Sequence, residues 1–154
     1  MGEYTVTTEI LPNVYSELEP LYRAHYAQMA SRLKEQGIIV ASYKPRLDEY
    51  FKAANGGWFL TFVLRHSGKP VGYANMYVTS DMHNGETIAQ EDVLFVTPEH
   101  RNGAWKLLYK HGMEVLRQRG CKRLSVSALT DLRVAKLWKR MGFKEVAIQM
   151  TYTF

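Results

Sequence analysis

At 154 residues the chain has the length of one ordinary domain, and its 46% apolar content suits a globular core. No apolar run approaches the ~20 residues that span a bilayer, the opening MGEYTVTTEI lacks the basic start and apolar stretch of a signal peptide, and the single cysteine, Cys121, excludes an internal disulfide. Charge is divided unevenly: residues 1–100 hold 8 Lys+Arg against 12 Asp+Glu and residues 101–154 hold 12 against 3, for a net +5.

These features predict a soluble, cytoplasmic protein without a membrane partner. The basic second half points to an anionic partner, with phosphate the first choice. A solvated basic helix surface or a nucleic-acid interface would produce the same imbalance.

In chain order, EYTVTTEIL alternates as a first strand closed by Pro12. NVYSELEPLYRAHYAQMASRLKEQG has helical spacing at Leu18, Leu21, Tyr22, His25 and Met29 and stops at Gly37. Pro20 must then lie in the first turn of that helix or kink it. IIVASYKP fits no single period. RLDEYFKAANGG reads as a short helix ended by its glycine pair. The period then changes to two: WFLTFVLRH and VGYANMYVTS form a hairpin across SGKP, and TIAQEDVLFV is a third strand after DMHNGE. AWKLLYKHGMEVLRQRG is a helix, CKRLSVSAL a strand, TDLRVAKLWKRMG a helix and FKEVAIQMTYTF a final strand. The order βααβββαβαβ is an α/β arrangement, a mixed sheet with helices on its faces. The β–α–β unit from 88 to 128 implies a right-handed crossover and a parallel pair.

The stretch VTPEHRNGAWKLL, Val96 to Leu108, breaks a strand and opens a helix across a short polar loop. Such a loop leaves the first N–H groups of the helix without partners at the positive end of its dipole, a site suited to phosphate. Gly103 would let a ligand approach the backbone, and Arg101 and Lys106 add charge. Taken with the following strand and LWKRMGF, this stretch resembles the GNAT superfamily of N-acetyltransferases. The family signature is V-x-P, then Q/R-x-x-G-x-G/A opening a helix, then L-Y-E-x-x-G-F ending the next. The segment GKPVGYANMYVTSDMHNGETIAQEDVLFVTPEHR looks especially like small members carried by phages and prophages, which would place the protein in a host cytoplasm.

The resemblance covers nearly the whole chain and implies a single GNAT-like domain over 1–154 that uses acetyl-CoA and an amine acceptor. It implies that Leu94, Phe95 and Val96 pair with the pantetheine arm. Arg101, Asn102, Gly103, Ala104, Trp105 and Lys106 would then surround the pyrophosphate. The loop departs from the pattern. With Gly103 as the first glycine it is one residue short and Trp105 replaces the second glycine; with Arg101 aligned, Ala104 takes the first glycine position. Trp105 must point into the core or cover the phosphates. Trp138 stands where the family has the Tyr that protonates the departing thiolate. An indole N–H can donate a hydrogen bond but does not surrender its proton near neutral pH. Water, Tyr43 or Tyr152 would have to serve. Asp131 stands where the family often has Asn, and it is also placed to cap LRVAKLWKRM.

Acetyl transfer requires a neutral amine, and an amine of pKa ~10.4 is neutral in only about one molecule in 10³ at pH 7. Glu91 and Asp92 interrupt an apolar strand leading to the loop. Adjacent strand residues face opposite sides, so one of them is the expected general base. The acidic N-terminal portion suits a cationic acceptor. Cys121 and the five histidines show no zinc spacing. A non-catalytic acyl-CoA-binding module and a nucleic-acid-binding protein remain as alternatives. Finally, 11 residues follow Phe143, enough for one strand. It is predicted from near Glu145 to about Thr153, paired with 122–128, with its far edge open or covered by a second subunit in a homodimer.

Overall fold

The computed structural model describes residues 2–129 and 131–154. In chain order it has β1 (Tyr4–Glu9), α1 (Leu11–Glu35), α2 (Leu47–Asn55), β2 (Phe59–His66), β3 (Lys69–Ser80), β4 (Thr87–Val96), α3 (Trp105–Gln118), β5 (Leu124–Ser125) and α4 (Leu132–Arg140). The strands form one sheet in sequence order, antiparallel from β1 to β4, with β5 parallel to β4. The α/β class, the mixed sheet, the hairpin and the parallel crossover all match the sequence expectation. Among the described residues no helix is long and apolar enough to cross a membrane.

Each face of the sheet has its own core. α1 and α2 cover one face through Leu11, Val14, Leu18 and Ala53, which meet Phe59, Val63, Tyr73 and Phe95. α3 covers the other through Leu108 and Leu116 against Phe62, Leu64, Ala74 and Val96. Period-two alternation in β2 and β3 divides their side chains between these cores. Phe62, Leu64 and Leu108 are fully buried, each contributing about 2–3 kcal/mol of transfer free energy. α3 comes close because Gly112 faces the Phe62 ring, where a Cβ would lie 3.2 Å from the nearest ring carbon.

Two local expectations need correction. Pro12 does not close the first strand; it sits in the first turn of α1, where its missing N–H costs nothing. α1 is 25 residues long and continues through Pro20, so this second proline lies in the helix interior and not in its first turn. One intrahelical hydrogen bond is forgone there, while Leu18, Leu21 and Tyr22 hold that part of the helix on the sheet.

The C-terminal strand is also absent. Among the described residues none follows α4, and Val146, Ile148 and Met150 are 87%, 84% and 85% exposed. Their alternation is that of a strand, but β5 is only two residues long. A two-residue strand offers no edge long enough to template another ladder.

Candidate active site

The site is organised by an irregularity in β4. Along the β3–β4 ladder Asn75 pairs with Val93 while Met76 pairs with Glu91, so Asp92 is an extra residue, a β-bulge. Glu91 follows Ala89 onto the α3 face, opposite Met76 of that core. Asp92 and Val93 both line a cavity on the α1–α2 face. The two adjacent acids thus end on opposite sides of the sheet.

Asp92 is largely enclosed, and burial pushes its carboxyl above the ordinary aspartate range. The Tyr50 hydroxyl, 3.4 Å from Oδ2, donates to it and pulls in the opposite direction. Burial pushes Glu91 up to about 7, against the Ser127 backbone N–H, which donates to its carboxylate.

Ser127 marks where β4 and β5 part. The parallel ladder contains only Ala89–Leu124 and Gln90–Ser125, so beyond Gln90 the outer edge of β4 has no strand partner among the described residues. On the facing segment, Ser127 finds side chains where a ladder would have been. Glu91 takes its N–H, and the Trp138 indole donates to its carbonyl at 3.2 Å. Both backbone groups are satisfied without closing the gap. Leu94, Phe95 and Val96 therefore lie where this edge of β4 has no strand partner among the described residues, with the Phe95 and Val96 side chains buried to either side.

Because its folded-state pKa is raised, Glu91 binds its proton more tightly in the native than in the unfolded chain. Its contribution is fully present below the unfolded value of 4.5 and is lost as pH rises toward 7. A thermal-unfolding series from pH 4 to 8 should show wild type losing on the order of 5 °C relative to Glu91→Gln, which keeps an acceptor for Ser127 and does not titrate. Parallel curves would mean that burial does not raise the Glu91 carboxyl above its unfolded value.

The open edge leads to the loop. Pro98–His100 form one 3-10 turn, Gly103 adopts φ +99°, and α3 begins at Trp105. Asn102 Oδ1 accepts the Ala104 N–H at 3.3 Å and its amide donates to the Tyr4 hydroxyl, which lies 2.8 Å from His100 Nδ1. The backbone N–H groups of Asn102 and Gly103 have no acceptor among the described residues. They and the start of α3 can receive a phosphate.

Arg101 is turned away from that duty. Its Nε donates to the Val96 carbonyl at 2.7 Å, its Nη2 to Gln28 at 3.1 Å, and the guanidinium lies over the Phe95 ring. Lys106 is exposed on the first turn of α3. Trp105 is partly buried and packs edge-on against Trp138, with Tyr109 alongside both rings. Its ring is core rather than a phosphate cover. Trp138 is 6% exposed and its N–H is spent on Ser127. Asp131 caps α4 by accepting from the Arg133 and Val134 amides, and it pairs with Arg32 of α1 at 2.9 Å. Its carboxylate is already engaged at both oxygens.

On the other face the cavity encloses about 680 Å³. Asp92 and Val93 lie on its sheet side with Tyr73 and Tyr77 of β3. α1 supplies Tyr22, His25, Tyr26 and Met29, and the irregular segment 41–46 closes it opposite α2. Asn75 donates to the Tyr22 hydroxyl at 2.6 Å and accepts from Thr61 at 3.0 Å, a buried chain that fixes the Tyr22 ring. Burial lowers the His25 pKa and favours its neutral form. Tyr43 shares a 2.7 Å hydrogen bond with Tyr15 and lines the cavity, whereas Tyr152 is 79% exposed in the tail.

The sequence reading named Tyr22 and Tyr43 but did not gather the tyrosines into one site, and it passed over Tyr50, Tyr73 and Tyr77. The signal was present as Tyr22 and Tyr26 one helical turn apart, Tyr73 and Tyr77 on one strand face, and ten tyrosines in all.

A sheet split beside a bulged strand, a loop of free amides at one end of the split and a lined cavity across the strand together describe an acyltransferase architecture. A model of the acetyltransferase (GNAT) family matches residues 13–143, and the chain belongs to that family. Similar solved structures include an aminoglycoside acetyltransferase, meta-AAC0020, from an uncultured soil metagenomic sample in complex with sisomicin (TM-score 0.73, 20% identity, 98% of this chain and 96% of that one). Another is ribosomal-protein-alanine N-acetyltransferase from Brucella melitensis biovar Abortus 2308 (TM-score 0.67, 20% identity, 99% and 98%). A third is aminoglycoside N-acetyltransferase AAC(6')-Iy in complex with CoA (TM-score 0.69, 15% identity, 100% and 96%). No curated protein sequence matches the chain.

Proposed function

We propose that the protein is an N-acetyltransferase that moves the acetyl group of acetyl-CoA to a primary amine by direct attack in a ternary complex. The observation that carries this reading is the bulge. It sets a half-buried carboxylate, Asp92, in the wall of the cavity, on a strand whose outer edge lacks a strand partner beyond Gln90 and can meet a cofactor arm. The residues present suit acetyl-CoA: the edge of β4 at Leu94–Val96 has no strand partner and can hydrogen-bond pantetheine amides, with the Val96 carbonyl shared with Arg101, and the free amides of Asn102 and Gly103 can take its pyrophosphate. The relative bound to CoA has the same fold.

In this scheme Asp92 accepts a proton from the ammonium group of the acceptor. The neutral amine attacks the thioester carbonyl, a C–N bond forms, the C–S bond breaks, and the second proton of the attacking nitrogen passes through water to the departing thiolate. Trp138 takes no part in that transfer, since an indole is no acid and its N–H holds Ser127.

The same tryptophan favours a second reading, a protein that binds acyl-CoA without turning it over. Thiol release from acetyl-CoA, followed with a mixed set of amines and paired with calorimetry of acetyl-CoA binding, separates the two. Amine-dependent release is expected. Binding without release establishes the second reading, and neither signal overturns both.

A further inference from the structure

The charges around the cavity bear on which amine it takes. Several acids of the N-terminal half are engaged elsewhere: Glu9 and Glu17 both pair with Arg65, and Glu19 pairs with Arg23. Lining the cavity are two carboxylates, Asp92 and Glu49, and two cations, Lys44 and Arg46. Glu49 is an exposed rim residue already facing Arg46 at 3.5 Å. Arg23 lies over the Tyr43 ring at 4.9 Å, with its charge already offset by Glu19. With His25 favoured neutral, Asp92 is the one enclosed anion in the lining. Arg46 is offset by Asp48 and Glu49 and Arg23 by Glu19, which leaves Lys44 as the cation of this group without an ion pair among the described residues. Such a site balances a single ammonium group at Asp92; a second would find no other enclosed carboxylate and would meet Lys44.

The walls are aromatic. Trp58 stacks on Tyr77 with centroids 5.9 Å apart and planes inclined by 29°, and Trp58 stays 47% exposed. Tyr50, which donates to Asp92, also lines the cavity. Aromatic rings therefore line the cavity from Tyr50 beside the carboxylate to the half-exposed Trp58, which offers a ring face to a ligand. Burying an aromatic ring there gains area, plus an offset-stacking contribution that a saturated ring of similar size lacks.

Resting on the N-acetyltransferase reading above, we propose that the acceptor is a monoamine with a flat aromatic body. Its ammonium group meets Asp92, its ring lies along Trp58 and Tyr77, and polycationic amines such as aminoglycosides and polyamines are disfavoured. This separates the chain from the aminoglycoside enzymes whose fold it shares.

The test is a comparison of kcat/KM, with acetyl-CoA saturating, for 2-phenylethylamine, 2-cyclohexylethylamine, spermidine, tobramycin and a short peptide with a free N-terminal alanine. We expect 2-phenylethylamine to exceed its saturated counterpart about 5-fold and each of the other three by at least about 100-fold. Trp58→Ala should narrow the first ratio toward one. A higher kcat/KM for spermidine, tobramycin or the peptide overturns the proposal while leaving the acetyltransferase reading intact. If no amine is acetylated, that reading fails instead, and calorimetry of the same amines then decides this one. Tighter binding of 2-phenylethylamine supports it; tighter binding of a polycation, or no binding of 2-phenylethylamine at millimolar concentration, overturns it.

Discussion

Asp92→Asn should lower kcat/KM for a good amine acceptor by about two to four orders of magnitude, the usual worth of a positioned general base. The side chain keeps its shape and still accepts from Tyr50, so acetyl-CoA binding should be unchanged by calorimetry. The wild-type rate should fall on the acidic side with an apparent pKa above the ordinary aspartate value, because burial raises the Asp92 carboxyl. That acidic limb should vanish in Asp92→Asn. Tyr50→Phe removes the one hydrogen bond that holds the carboxylate's pKa down, so the limb should move to higher pH while kcat at its plateau changes little. Glu91→Gln should keep the limb, since Glu91 faces the α3 side and binds Ser127. An unaltered profile in Asp92→Asn, with loss in Glu91→Gln, would exchange the two roles.

Gly103→Pro should weaken acetyl-CoA binding by about 100-fold or more, read by calorimetry on a variant whose circular dichroism matches wild type. Proline holds φ near −65°, and position 103 sits at +99°, so the loop cannot keep its course. The Asn102 and position-103 amides would be redirected or lost, and with them the anchor for a pyrophosphate. No atom lies within 4 Å of a Cβ built on Gly103, so the damage is confined to the backbone path. Arg101→Ala should matter less, because its guanidinium is held by Val96, Gln28 and Phe95. A folded Gly103→Pro protein with undiminished affinity would remove this loop from the cofactor site.

The elements with a clean period were legible from residues alone: the hairpin around Ser67–Gly68, the crossover through α3 and the helix capped by Asp131. The choice between Glu91 and Asp92 was not. Counting by twos back from Phe95, which faces α1, puts Val93 and Glu91 on the cavity side. The bulge slips the phase by one residue and brings Asp92 there instead. A bulge has no mandatory residue type, so alternation cannot reveal it. Segment 41–46 was illegible for a related reason, since it lines a cavity without helix or strand period. Trp105 shows the reverse. Its place in the loop pattern left a core position and a phosphate cover both open, and a large ring at the first turn of α3 gains more from packing on Trp138 and Tyr109 than from covering phosphate. The tail misled because alternation reports a side chain's readiness to pair, not the existence of a strand to pair with.

That tail has a thermodynamic consequence. Val146, Ile148, Met150, Tyr152 and Phe154 remain at least 79% exposed in the folded chain, so unfolding uncovers almost none of their surface. They add nothing appreciable to the heat-capacity change or to the denaturant m-value, both of which scale with newly exposed area. The cooperative unit thus ends near Phe143, which packs on Trp138. What the last residues govern is colloidal behaviour. AIQMTYTF carries no charged side chain and no proline, and combines apolar with β-prone residues. A segment of that kind held permanently in solvent sets the concentration at which the native protein begins to self-associate, without any unfolding at all.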